Sequence, residues 1–446
     1  MAVGLNNSFQ IFQDCFKVTT HSQVQKAFSY LKGLFKSEKN RANCQNMSTL
    51  LGEQNHQNYQ HLLVNSPWDF KDVFFRLEES TLALMAEQEK SIALLVDEVG
   101  FRKKGNNSAC VGRQYLGSIG KHDNGQVAVV AGFSQEGFYC PIEARLFMPK
   151  KWDTDIEKRR KAGIPDQIKH QSKPEMALEM ILSYKARGTR FDYVNFDALY
   201  GSSLQLLHTL DKESINFMGD IKENIRVFTQ KPIFELPDNT TVKKRGRKRK
   251  YPFSKTADTS VKIFAEKLSK QEWHSIILRD GTKKEIKAQF HSCRVWVCVN
   301  SHTGELMELK LLIRKDEDGK IKYSLSNMME DRLDQLAVKQ GERVFVEKIF
   351  EEGKNQVGMG DYQVRKWSGY HKHMAICFIG LYYIFEQKMI LKKKNIKITA
   401  PIIRKLVAST IESKWNSLET AINLAKNHLT EYIVQISRNK SPSYVT

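Results

Sequence analysis

The apolar positions of this chain change rhythm along its length. Over residues 1–90 they recur at helical spacing, as in "DVFFRLEESTLALMAEQ". "NSPWDF" just before it carries an Asn or Ser cap signal, with Pro67 near a helix start. At "KSIALLVDEVGF" the rhythm breaks. "IALLV" is a short continuous apolar run, expected of a buried strand, and it ends on Asp97. "SACVGRQYLGSIG" and "GQVAVVAGFSQ" predict two further strands, and "YCPIEARLFMP" completes a β-meander. "PEMALEMILSYKAR" predicts a helix at about 174–187, with Pro174 in its first turn. "FDYVNFDALYG" is a second buried strand ending on a carboxylate, Asp197. "SSLQLLHTLDKES" returns as a helix and "NFMGDIK" as a strand, so the order of elements predicts a mixed α/β sheet.

The rhythm changes again at about residue 220. "RVWVCVN" and "LMELKLLIRK" alternate as antiparallel strands, which makes 221–325 a β-rich insertion. Helix is predicted to resume at about 325–338 and to continue through "RVFVEKIFEEGKNQVG" and "GYHKHMAICFIGLYYIFEQK". "MAICFIGLYYIF" is the longest apolar run; it is too short to span a bilayer and suits a buried helix. Residues 391–446 are predicted to be a polar, helical C-terminal segment. The predicted organisation is thus 1–90, 91–220, 221–325, 326–390 and 391–446, with 91–220 and 326–390 as two parts of one α/β core.

Composition adds a partner class. Of 446 residues, 70 are Lys or Arg and 50 are Asp or Glu, a formal charge of +20. That excess points to a polyanion, nucleic acid before any other. Much of it is local: "KKRGRKRK" places Lys243, Lys244, Arg245, Arg247, Lys248, Arg249 and Lys250 in one stretch. Such an arm can follow a DNA backbone or enter a narrow minor groove, or be a solvated loop. The seven cysteines are scattered without a CxxC pair, which fits a reducing compartment and no structural zinc. "MAVGLNNSFQ" lacks a secretory pattern, so a cytoplasmic, nucleoid-associated protein is expected.

The chemistry resides in carboxylates. Asp97 and Asp197 close two buried strands, where α/β sheets place their ligands. Glu347 lies on a later helix, with Arg343 and Lys354 at offsets that stack all three on one face. Three acidic residues without a His/Cys cluster suit hard cations, Mg²⁺ or Mn²⁺. Two such ions about 3.5–4 Å apart can drive phosphodiester chemistry. Phosphate-loop, dinucleotide, zinc-protease and serine-hydrolase motifs are absent. Glu98 adjoins Asp97, and neighbours on a strand face opposite ways, so only one of the two can reach the cations. Lys103 and Lys104 in "FRKKG", with Arg365 and Lys366 in "RKW", lie beside the site and are expected to hold phosphates. His371 and His373 are phosphate contacts or core polar residues. Trp296 and Trp367 can stack on a displaced base, although Trp296 suits a packed strand position equally.

Three blocks in order resemble one family. "LLVDEVGFRKKGNNSACVGRQYLGSIGKHDNGQVAVVAGF", "FDYVNFDALYG" and "RVFVEKIFEEGKNQVGMGDYQVRKWSGYHKHM" resemble bacterial insertion-sequence transposases of the DDE class. The likeness falls in the IS-four-like superfamily, near the group called IS-seven-hundred-and-one, and covers about residues 45–385. Its signature, Tyr-x2-Arg-x3-Glu-x6-Lys, is met by Arg343, Glu347 and Lys354, with Gln340 in place of the tyrosine. The resemblance implies an RNase H-like catalytic core interrupted by a β-rich insertion, with a helical DNA-binding N-terminal domain. It implies Asp97, not Glu98, as first ligand, with Asp197 and Glu347 completing the set on two Mg²⁺ or Mn²⁺ ions. It further implies cut-and-paste transposition through a hairpin, on terminal inverted repeats and target DNA, by a homodimer. Arg343 and Lys354 would pin phosphates, and Gln340 would weaken the contact with the transposon end. An inactive DNA-binding copy and a plain nuclease of the same fold are the alternatives.

Overall fold

The computed structural model describes residues 2–18, 22–53, 55–235, 250–280 and 285–412. Five helices open the chain: α1 (Ala2–Gln10), α2 (Val24–Lys36), α3 (Cys44–Leu50), α4 (Gln57–Val64) and α5 (Phe70–Ala86). Asn43 caps α3 by accepting from Asn46 N–H, and Asp69 caps α5 by accepting from Lys71 N–H, which satisfies first-turn donors. The β-meander follows as β1 (Ala93–Arg102), β2 (Gly112–Leu116), β3 (Lys121–Gln135) and β4 (Phe138–Leu146). Glu136 and Gly137 both take positive φ between β3 and β4, as a tight two-residue hairpin requires.

Then come α6 (Lys151–Thr154), α7 (Ile156–Ala162), α8 (Lys173–Ala186), β5 (Tyr193–Phe196), α9 (Ala198–Gly201), α10 (Leu204–Lys212) and β6 (Phe217–Ile221). Ser172 and Glu175 form a capping box at the start of α8, with Pro174 in the first turn as the sequence predicts. Four two-residue strands, β7 (Arg226–Val227), β8 (Phe234–Glu235), β9 (Phe253–Ser254) and β10 (Thr259–Ser260), and α11 (Val261–Glu266) lead into β11 (His274–Asp280), β12 (Glu285–Asn300), β13 (Glu305–Lys315) and β14 (Ile321–Ser326). The last helices are α12 (Leu333–Gly341), α13 (Val344–Gln356), α14 (Trp367–Lys393) and α15 (Ala400–Glu412). Of the C-terminal segment expected at 391–446, residues 413–446 lie outside the described residues.

The architecture is mixed α/β around one ten-stranded sheet, compatible with a DDE/RNase H-like fold. β3 pairs antiparallel with β1 and also with β4 and β2; β5 pairs parallel with β1, and β6 parallel with β5. The β-rich segment continues this sheet, because β14 pairs antiparallel with β6, and β13, β12 and β11 follow outward. The helix expected at 325–338 is corrected: residues to Ser326 belong to β14, and the helix begins at Leu333. Tyr323 and Leu325 are buried, and backbone pairing with β6 outweighs any helical bias there.

One hydrophobic cluster runs from the N-terminal helices through the sheet to α14 and α15. α14 is long and apolar enough to cross a membrane, a length the apolar-run reading missed. Residues 369–385 of it are buried against β4, α5, α2 and α4, so it is the central helix of the core. His371 and His373 belong to that core. His371 accepts from the N–H of Leu146 and stacks on Phe70, while His373 bonds the Tyr30 hydroxyl. Burial depresses both imidazoles, to about 4 and about 3, so both are neutral near pH 7, as core polar residues are.

Candidate active site

The parallel strands set the site. Val96 is the last residue of β1 to pair with β5, opposite Phe196, and Phe196 pairs with Gly219 of β6. The next residue on each strand is acidic: Asp97, Asp197 and Asp220. Register therefore brings three aspartates to one level across neighbouring strands. β1 itself runs on to Arg102 against β3, so Asp97 does not end its strand as its apolar run suggests. It lies where the parallel pairing stops. Asp197 leaves β5 and caps α9, accepting from Leu199 N–H at 2.8 Å. Asp97 accepts from Glu98 N–H at 2.7 Å. Each of these two carboxylates thus spends one oxygen on backbone.

Two glycines make the close approach possible. A Cβ on Gly201 would lie 2.0 Å from the Asp220 carbonyl oxygen, and one on Gly219 would lie 2.3 Å from the Phe196 ring. The short helix α9 can rest on β6 only without those atoms. The glycine of "DALYG" is therefore packing chemistry that holds Asp197 and Asp220 together.

The helix pair α12–α13 supplies the remaining groups. Asn195, buried on β5, donates to the Lys339 carbonyl at 2.6 Å and fixes α12 to the sheet. α13 docks through Phe345 stacked on Tyr139 and Ile349 over Gly132. Arg343, at the junction, points its guanidinium among the carboxylates. Nε lies 3.1 Å from Asp220, Nη1 3.9 Å from Asp97 and Nη2 2.9 Å from Glu347. Glu347 is 58 % exposed, whereas the Arg343, Asp97 and Asp220 side chains are 18 %, 13 % and 15 % exposed. Arg343 is thus a largely enclosed counter-ion among the carboxylates, not the solvent-facing side chain that helical spacing suggests.

Burial pushes the Asp97 carboxyl well up, and the neighbouring charges of Asp197 and Glu98 push the same way. Burial raises Asp220 too, opposed by Arg343 and by the Ser324 hydroxyl. Burial alone would depress the Arg343 guanidinium; Asp220, Asp97 and Glu347 outweigh it and raise it. The site holds more negative charge than Arg343 offsets. Among the described residues no three acidic, His or Cys side chains converge closely enough to hold a metal as they stand. Arg343 stands between Asp97 and Glu347, and Glu347 faces outward. The donor set nonetheless fits a hard divalent cation: carboxylate oxygens only, crowded and short of positive charge.

The other expected site residues divide sharply. Glu98 pairs with Lys173 at 3.0 Å and makes no contact with Arg343. Lys354 does not join the Arg343–Glu347 pair; it is half-buried with its ammonium 5.6 Å from the Phe101 ring centre, and burial depresses it. Lys103 is no free phosphate contact. Its ammonium sits 3.3 Å from the Tyr362 ring centre and donates to the Tyr362 carbonyl, and burial pulls it down to about 7. Lys104, Arg365 and Lys366 are exposed, although Lys366 donates to the Lys161 carbonyl at 2.6 Å. Gln340 is buried and donates to the Ser324 hydroxyl at 2.6 Å. Trp296 lies in β12, its backbone bonded to Phe228 in both directions and its side chain half-buried. Trp367 packs on Phe70 and His371 and borders a cavity of about 610 Å³ that none of Asp97, Asp197, Asp220 and Glu347 lines. Lys250 is exposed; Lys243, Lys244, Arg245, Arg247, Lys248 and Arg249 lie outside the described residues.

A family model described as "DDE superfamily endonuclease" matches residues 12–285. The chain belongs to the DDE superfamily of endonucleases. Enzymes of this superfamily use divalent metals, in keeping with the oxygen-only donor set. The match spans Asp97, Asp197 and Asp220 and ends before α12 and α13, so Glu347 and Arg343 enter the site on geometry alone. A protein of Microchaete diplosiphon named "Probable transposase for insertion sequence element IS701" is 33 % identical over 201 residues. The aligned stretch is 45 % of this chain and 49 % of that protein, so the chain spans about half the length of that relative. Asp220 is the member of this acidic cluster that reading the motifs missed. Its signal was present: "NFMGD" repeats the pattern of "YVNFD", a short apolar strand closing on an aspartate.

Proposed function

We propose that the chain is an insertion-sequence DNA transposase that cuts and joins element ends by metal-dependent phosphoryl transfer. The observation that carries this reading is the juxtaposition of Asp97 and Asp197 beyond their last parallel pair, with Arg343 linking that row to Glu347. The DDE-superfamily match and the transposase name of the relative support it. So does the strand order β4-β3-β1-β5-β6, with β5 and β6 parallel to β1, which is that of an RNase H-like core. Two Mg²⁺ or Mn²⁺ ions, held by Asp97, Asp197 and Glu347, would supply charge neutralisation at the scissile phosphate and activation of the attacking hydroxyl. The chain's own contribution is position: rigid strands carry two ligands, and α13 brings the third. Arg343 offers a planar fork that suits a phosphate as well as a carboxylate. Exposed Lys104, Arg365 and Lys366 and the basic arm would follow the duplex backbone. A homodimer on paired ends and a hairpin on each end complete the reading.

The test uses a labelled duplex carrying the inverted repeat that flanks the gene, incubated with the full chain and Mg²⁺ or Mn²⁺. Cleavage should be lost in Asp97→Asn, Asp197→Asn and Glu347→Gln while duplex binding persists. A hairpin should run as a strand of doubled length under denaturing conditions. Cleavage without any joined product would favour a plain nuclease, and an intact duplex with the parent chain in both metals would sink the reading.

A further inference from the structure

We infer that Asp220 is a positioning residue of this site: it anchors Arg343, which fills the acidic pocket as a built-in counter-ion until a divalent cation takes its place. Three carboxylates touch Arg343, and they do so unequally. Asp97 is 3.9 Å away, and Glu347 is mostly exposed. The Asp220 contact, at 3.1 Å to Nε, is the one that is both short and enclosed on each side.

Hydrogen bonding separates Asp220 from the ligand candidates. Asp97 and Asp197 each commit one oxygen to a backbone N–H. Asp220 commits both: Oδ2 to Arg343 and Oδ1 to the Ser324 hydroxyl, which donates at 2.6 Å. Ser324 in turn accepts from Gln340 at 2.6 Å. Both Asp220 oxygens are thus already held in short contacts, and a cation there would have to share or displace Arg343 or Ser324. The relay runs from α12 through β14 to β6, so the sheet extension, by way of Ser324, sets the direction of the arginine. A cation arriving at Asp97 and Glu347 would draw those carboxylates from Nη1 and Nη2. The Asp220 grip on Nε remains, and the freed edge of the fork then faces whatever phosphate the cation holds.

The inference rests on the strand-cleavage reading only for its DNA arm. The first arm is Mn²⁺ binding to the DNA-free full chain by calorimetry, in the parent, Asp220→Asn, Arg343→Ala and the double variant. Arg343→Ala should bind Mn²⁺ more tightly than the parent, since the competing cation is gone. Asp220→Asn should weaken Mn²⁺ by about threefold or more in the parent background, because Arg343 then falls wholly on Asp97 and Glu347. In the Arg343→Ala background the same change should do nothing, and that non-additivity is the signature of action through Arg343. A loss of about tenfold in both backgrounds would make Asp220 a metal ligand and overturn the inference; no effect in either would overturn it as well. Ser324→Ala, which keeps the charge and removes one hydrogen bond, should repeat the Asp220→Asn effect in weaker form and serves if Asp220→Asn folds poorly. In the DNA arm, Asp220→Asn and Arg343→Ala should each slow cleavage about tenfold or more, and the double variant no further. A parent chain that cuts no DNA would sink the proposed function and leave the Mn²⁺ cycle to decide on Asp220.

Discussion

Asp97 and Asp197 stand side by side one residue beyond the last parallel pair of their strands, Val96 with Phe196. Burial raises the Asp97 carboxyl, and the neighbouring charge of Asp197 pushes it the same way. A raised carboxyl contributes stability below its unfolded pKa and loses it as pH rises through the folded value. Asp97→Asn should therefore melt higher than the metal-free parent at pH 8, by about 2 °C or more, with the gain fading toward pH 4. Mg²⁺ or Mn²⁺ should raise the melting temperature of the parent and do less for the variant. Glu98→Gln is the control: it loses the Lys173 pair and should melt lower, with the cation effect intact. A cation effect lost in Glu98→Gln and kept in Asp97→Asn would exchange their roles.

Glu342 adjoins Arg343 in sequence and follows a separate logic. Burial raises its carboxyl to about 7, against the Ser134 hydroxyl that donates to it and the nearby charge of Arg279. Its unfolded value is about 4.3. The protonated form is the one the fold prefers, so stability is lost as pH rises from about 4.3 through 7. Glu342→Gln keeps an acceptor for Ser134 and removes the titration. It should gain about 1–2 kcal/mol at pH 8 and nothing at pH 4, the full shift being reduced by the lost attraction to Arg279. Chemical denaturation at the two pH values measures this, and an equal effect at both would show that Glu342 does not titrate in this window.

Gly201 carries a steric prediction. Its missing Cβ would sit 2.0 Å from the backbone oxygen of Asp220, and neither α9 nor β6 can retreat without moving an aspartate. Gly201→Ala should cost about 1–3 kcal/mol or more, as overpacking generally does. It should weaken Mn²⁺ binding as well, since Asp197 and Asp220 flank the strain. A variant that melts with the parent would mean that α9 can lift off the sheet freely.

The sequence was most legible where one physical rule acted alone. "IALLV" and "YVNF" became β1 and β5 because continuous apolar runs suit strands covered on both faces. Pro174 announced the first turn of α8, which is a local rule, and the Ser172–Glu175 capping box closes that end in the structure. Local rules failed where tertiary pairing decided. Residues to Ser326 joined β6 as a strand, and Asp97 stayed within its strand because β3 pairs it past the carboxylate. The face of α13 was harder still. Spacing grouped Arg343, Glu347 and Lys354, but Arg343 turned inward to Asp220, a partner more than a hundred residues away, and Lys354 turned to Phe101. Helical periodicity gives the side of a helix and not what waits there.

Lys103 and Lys104 are adjacent and should behave as opposites. Lys103 lies against Tyr362, where burial lowers its ammonium to about 7 from an ordinary value near 10.4. For a base, a lowered folded value means that the charged form costs stability, and the cost grows as pH falls through 7. Lys103→Met keeps the stem's packing and removes that cost, giving up one hydrogen bond and the ring contact. It should melt within about 2 °C of the parent at pH 6 and bind duplex DNA within about twofold. Lys104 is exposed and paired with nothing among the described residues, so it is available for a phosphate. Lys104→Ala should leave melting unchanged and weaken duplex binding. It should reduce the slope of log affinity against log salt by about 0.9, the share of one phosphate contact. Arg365→Ala should do the same. Titrations of one duplex at several salt concentrations separate the cases. A salt slope that drops for Lys103→Met and holds for Lys104→Ala would mean that Lys103 leaves Tyr362 for the DNA.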